Sequence, residues 1–172
     1  ELFGDAGDDQ LNGESGDDTL NGNAGGDSIL GGSGVDLLNG GDGDDVVDGQ
    51  AGADLLNGGL GGDSVDGGDG DDWIDGGDGN DVLLGGASDG VDTIIGGNGD
   101  DSLAGGYGAD SLNGGVGDDT LSGRDGLFGD DGDSLIGGPG NDRLNRRVEH
   151  LNGTLTDTSL TATGGGLDPI TE

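Results

Sequence analysis

The chain has 172 residues, of which 48 are glycine and 27% hydrophobic, and its formal net charge is −34. In an aperiodic sequence that balance would indicate disorder, and it excludes a nucleic-acid binder, because the phosphate backbone repels so acidic a surface. A collagen-like helix is excluded as well: only two prolines are present and the glycines do not recur every third residue.

What organises the chain is a nine-residue frame, Gly-Gly-x-Gly-x-Asp-x-U-x, with U a large aliphatic residue. Glu1-Leu2-Phe3 fits the last three positions of a copy, so the chain opens in mid-frame and reads as a piece of something longer. Fifteen copies follow, with sixth-position aspartates at Asp9, Asp18, Asp27, Asp36, Asp45, Asp54, Asp63, Asp72, Asp81, Asp92, Asp101, Asp110, Asp119, Asp133 and Asp142. Two residues after each stands an aliphatic, from Leu11 and Leu20 through Leu56 and Ile74 to Leu144, and Leu2 holds the same place in the opening fragment. The frame is clearest at Gly67–Leu84, GGDGDDWID followed by GGDGNDVLL. A period this short and regular marks a repeat architecture.

Each part of the frame has a physical task. Gly-Gly-x-Gly predicts a tight turn through conformations open to glycine. The triplet x-U-x predicts a very short strand, with U on one face and its two neighbours on the other. The aspartate falls where turn becomes strand, beside exposed carbonyls. Carboxylate with carbonyl oxygen is the ligand set of a hard cation, calcium in particular. One file of aliphatics cannot offset the entropy of ordering so glycine-rich a chain, so cation binding is expected to be part of the folding free energy.

Two irregular copies break the nine-residue step. Gly85–Ile95 carries two extra residues, and Gly123–Ile136 carries five, with Arg124 and Phe128 among them. Both read as slippage absorbed in loops rather than functional inserts. The domain division expected is 1–145 for the repeats and 146–172 for a degenerate capping copy with a Thr-rich tail, or the start of a following domain. Arg143, Arg146 and Arg147 cluster at that boundary, whereas residues 1–123 contain no Lys or Arg. Guanidinium is expected to replace the cation there, with Glu149 holding no ion.

No catalytic constellation is present. His150 is the single histidine and lies in the degenerate copy, and no nucleophile-elbow, zincin, P-loop or EF-hand pattern occurs. Carboxylates repeated in every loop suit ion binding better than one acid–base pair. Cysteine is absent, which removes disulfides and thiolate sites, and no apolar run reaches membrane-spanning length. Leu37, Leu55 and Trp73 fall at position seven of alternate copies, pointing away from the U residues. They form either a mildly apolar solvated face or a docking strip for a partner.

The frame resembles the RTX (repeats-in-toxin, haemolysin-type) calcium-binding nonapeptide over residues 1 to about 145. The resemblance implies an all-β fold, a parallel β-roll: a right-handed solenoid with two nonapeptides per turn, calcium lying between stacked loops along each edge. It further implies that the fifteen aspartates act as metal ligands with the backbone carbonyls of Gly31, Gly40, Gly49, Gly58, Gly67, Gly76, Gly105 and Gly114, giving about ten Ca2+ ions once pairs involving the irregular copies are discounted. The implied function is a structural calcium-binding module of a secreted or cell-surface bacterial protein, or a secretion and folding appendage of an extracellular hydrolase or toxin whose catalytic domain lies elsewhere.

Overall fold

The computed structural model describes residues 1–123 and 132–146. The five-residue insert with Arg124 and Phe128, and the 146–172 cap and tail with Arg147, Glu149 and His150, therefore fall outside the described residues, apart from residues 132–136 and the backbone of residue 146.

Among the described residues, sixteen strands alternate between two sheets. The first sheet holds β1 (Leu2–Ala6), β3 (Thr19–Ala24), β5 (Leu37–Asp42), β7 (Leu55–Leu60), β9 (Trp73–Asp78), β11 (Thr93–Asn98), β13 (Ser111–Val116) and β15 (Ser134–Ile136). The second holds β2 (Gln10–Asn12), β4 (Ser28–Ser33), β6 (Val46–Ala51), β8 (Ser64–Asp66), β10 (Val82–Leu84), β12 (Ser102–Ala104), β14 (Thr120–Gly123) and β16 (Arg143–Arg146). Neighbours in each sheet are two copies apart and parallel, as in Leu38↔Leu56 and Val47↔Val65. The fold is a parallel β-roll in which each turn consumes two copies of the frame.

The core is one residue deep. The aliphatics of both sheets, Leu11 to Leu135, form a single buried file, and Leu144 packs partly buried against it. Leu2 departs from the pattern: 40% of it is exposed, because it stands at the end of the file, with Leu11 and Leu20 to one side and no aliphatic on the other. Flanking residues at positions seven and nine face outward, as β7 shows with Leu55 exposed beside buried Leu56.

The strands also run further than the x-U-x triplet. Nine of them continue through positions one to three, as Leu37–Asp42 does, so the turn proper is confined to positions four to six. In parallel stacking an identical backbone two copies away supplies a ladder partner wherever the chain remains extended. Position two then takes a positive φ, 114° at Gly59, and a Cβ built there would collide with the Gly41 carbonyl oxygen. Asp5, Glu14, Asn23 and Gln50 hold the same position at φ of 68° to 75°, in the left-handed region that polar residues tolerate better than branched ones.

Replacement of neighbouring leucines reads this register directly. Leu56→Ala should lower stability by about 2–5 kcal/mol, while Leu55→Ala should change it by less than about 0.5 kcal/mol, both by denaturant unfolding in saturating calcium. Equal losses would contradict the assignment of faces.

Candidate metal centres at the loop edges

The two ends of each strand turn through positions four to six, so sixth-position aspartates from alternate copies stack along each edge of the roll. Their two carboxylate oxygens have different surroundings. One accepts a hydrogen bond from the backbone N–H of the aspartate two copies earlier: Asp45 N–H donates to Asp63 Oδ1 (2.8 Å), Asp54 N–H to Asp72 Oδ1 (2.8 Å) and Asp101 N–H to Asp119 Oδ1 (2.9 Å). The series begins with Asp9 on Asp27 and ends with Asp119 on Asp142.

The other oxygen is enclosed by protein and receives no hydrogen bond at Asp9, Asp27, Asp36, Asp45, Asp54, Asp63, Asp72, Asp81, Asp101, Asp119 and Asp142. It faces the place where the first glycine of its own copy lacks a Cβ, together with a carbonyl from two copies further on. A Cβ built on Gly31 would lie 2.7 Å from Asp36 Oδ2 and 2.8 Å from the Gly49 oxygen. On Gly49 it would lie 2.6 Å from both Asp54 Oδ2 and the Gly67 oxygen. Glycine at position one therefore leaves open a space into which a carboxylate and a carbonyl oxygen both face. Two negative poles turned toward one another without a proton donor are costly in a desolvated setting, and a hard cation would relieve the cost. The donor set fits calcium: carboxylate and backbone carbonyl oxygens and nothing softer.

All eight glycine carbonyls implied by the resemblance occupy this place: Gly31, Gly40, Gly49, Gly58, Gly67, Gly76, Gly105 and Gly114. So do Gly22, Gly85, Gly96 and Gly137, which sequence reasoning passed over although the frame puts each of them at position one. Gly85 and Gly96 border the copy with the two-residue insertion. The stack nevertheless continues across both irregular copies, with Asp72 N–H on Asp92 Oδ1 (2.9 Å), Asp92 N–H on Asp110 Oδ1 (3.0 Å) and Asp110 N–H on Asp133 Oδ1 (3.0 Å). The aspartates of both irregular copies thus stay in register with those two copies away.

A second set of side chains holds the loops in the opposite sense. Position-five groups accept from the backbone N–H of position five two copies later, as Asp44 Oδ1 does from Gly62 (2.9 Å) and Asn80 Oδ1 from Asp100 (2.9 Å). The signal was legible, since Asp or Asn recurs at position five in Asp8, Asp17, Asp44, Asp71, Asn80, Asp100, Asp118 and Asn141. Among the described residues no three carboxylates or imidazoles gather at one point, so a bound cation would draw most of its ligands from backbone.

Burial shifts the titration of these groups. It pushes Asp54, Asp63 and Asp101 up to about 6 and Asp92 up to about 7; backbone hydrogen bonding partly offsets the rise and neighbouring carboxylates add to it. Asp45, Asp72, Asp81 and Asp119 move in the same direction for the same first cause.

The family model described as the RTX calcium-binding nonapeptide repeat (4 copies) matches at residues 1–29, 30–65, 57–90, 87–121 and 128–145. No curated protein matches the chain.

The pH dependence has a definite sign. A metal-free roll holds protons that the unfolded chain has released, so the stability from these groups is complete below about pH 4 and lost as pH climbs through 6 to 7. Cation binding needs the ionised form. The calcium concentration at half-folding, followed by circular dichroism, should rise several-fold between about pH 7.5 and about pH 5.5. An unchanged midpoint would contradict the role given to the buried carboxylates.

Proposed function

The chain belongs to the RTX calcium-binding nonapeptide repeat family, and from that premise we propose that it is a structural module whose loops bind calcium and which acquires its fold as they do so. The ligands are the fifteen sixth-position aspartates, Asp9 to Asp142, with the position-one glycine carbonyls of the copy two steps on. One observation carries the reading: enclosed Oδ2 atoms without donors face carbonyl oxygens at rung after rung.

When bound, calcium supplies the positive charge that the stacked oxygens lack. The residues do the rest. The Asp N–H to Asp Oδ1 bonds hold each carboxylate in a single orientation, and position-one glycines keep the space beside Oδ2 clear. The aliphatic file fixes the spacing of the loops. Counter-charge has to come from solution, since residues 1–123 contain no Lys or Arg.

About ten ions follow from the regular pairs, and the continuous stacking across the irregular copies gives room for up to about three more. An affinity in the extracellular range, about 10⁻⁴–10⁻³ M, is expected and would suit a folded form outside the cell, as part of a secreted or cell-surface bacterial protein. The module's task is cohesion rather than catalysis. Leu37, Leu55 and Trp73, exposed on one sheet, are the place where a partner would dock.

Circular dichroism with calcium titration tests this. A cooperative rise of strand signal is expected at about 10⁻⁴–10⁻³ M calcium, with Asp63→Asn raising the midpoint at least about threefold. Full strand content in excess chelator would overturn the proposal.

A further inference from the structure

The outer face of the first sheet takes no part in the loop centres. Its outward rows are positions seven and nine. On β3, β5 and β7 they read Thr19, Leu37, Leu55 and Asn21, Asn39, Asn57, none of them charged in a chain of net charge −34. The register stacks Leu37, Leu55 and Trp73 into one apolar row and Asn21, Asn39 and Asn57 into a parallel amide row, extended by Asp75. Asn39 Nδ2 donates to Asn21 Oδ1 (3.3 Å), which aligns these two amides along the row.

The amide row is a ridge between two troughs that both run across the strands. One, about 360 Å³, follows Leu37, Leu55 and Trp73. The other, about 480 Å³ and more open, is floored by Gly41, Gly59 and Gly77 and walled by Asp42 and Asp78.

Charge, repetition, size and chemistry together select the occupant. A polyanion would be repelled by the loop edges, and a polycation would be drawn to those edges and away from the uncharged strip. Rungs about 4.8 Å apart present the same pair of groups repeatedly, which suits a repeating chain. The apolar row is three residues, Leu37, Leu55 and Trp73, against roughly 20–30 residues a side for a stable protein interface, and a second copy would bring its own net charge of −34 against the loop edges. Trp73 and the leucines give an apolar platform, and each amide both donates and accepts; an apolar platform beside such polar groups matches the two faces of a sugar ring.

We propose that this face binds a neutral, unbranched glycan lying across the strands, with the C–H faces of its sugars on Leu37, Leu55 and Trp73 and its hydroxyls on Asn21, Asn39 and Asn57. The proposal rests on the calcium-folded roll, since only in that state are the rows in register.

Trp73 is the chain's sole tryptophan, so its fluorescence reads this face. In millimolar calcium, titration of the full chain with cellohexaose or mannohexaose should give a saturable change in emission with a dissociation constant below about 1 mM. The double variant Asn39→Ala, Asn57→Ala should fold at the same calcium concentration by circular dichroism and bind at least about tenfold more weakly. Silent Trp73 emission with both sugars in a chain that has folded with calcium would overturn the glycan site and leave the calcium reading intact. Unchanged affinity in the double variant, or an equal response to an oligogalacturonate or to an extended cationic peptide, would overturn it too. A chain that does not fold with calcium contradicts both.

Discussion

Everything in this structure depends on what stands opposite one carboxylate oxygen. At most rungs of the two edges the sixth-position aspartate commits Oδ1 to a backbone N–H and turns Oδ2 into an enclosed space that it shares with a glycine carbonyl. Without a cation that arrangement is unfavourable at neutral pH, and it recurs along the length of the roll. With a cation between the oxygens the same arrangement becomes the attachment between successive turns. In the function proposed, the sign of the interaction, and with it the fold, is set by an ion in solution.

The thin core explains why so much is left to the edges. Among the described residues, one file of aliphatics, Leu11 to Leu135 with Leu144 partly buried against it, is the apolar core between the two sheets. Glycine adds to the difficulty, since its freedom in the unfolded chain raises the entropy lost on ordering. The glycines cannot be exchanged for better-behaved residues, because position one must leave room beside Oδ2 and position two must enter a positive φ against a carbonyl, as Gly59 does against Gly41. The residues that suit the proposed ion site are those that make the metal-free chain hard to fold, which is the ground for proposing that binding and folding are one event.

Most of the fold was legible because a period of nine with a fixed aliphatic and a fixed aspartate leaves little freedom. Val47 and Val65 must face inward and Val46 and Ser64 outward once x-U-x is a strand, and the structure places them so. Three features were less legible, each for a physical reason. The ladder extends into the glycines, because the partner two copies away has the same irregular backbone and still pairs. The two-residue insertion at Gly85–Ile95 leaves Asp72 and Asp92 bonded as elsewhere, because a turn can bulge outward without moving its ends. Leu2 keeps the aliphatic position yet is exposed, since it ends the file and is packed from one side only. The loop oxygens were legible in kind, carboxylate with carbonyl, but the division of work between Oδ1 and Oδ2 is a matter of geometry that residue types do not encode.

Backbone amide hydrogen exchange of the full chain in calcium and in excess chelator is the most direct test of the claim that ions at the edges hold the roll together. With calcium, the ladder amides of central residues such as Leu56 and Ile74 should exchange orders of magnitude more slowly than unstructured amides, and with chelator they should exchange at the unstructured rate. Protection at Leu56 and Ile74 that survives complete removal of calcium would contradict it.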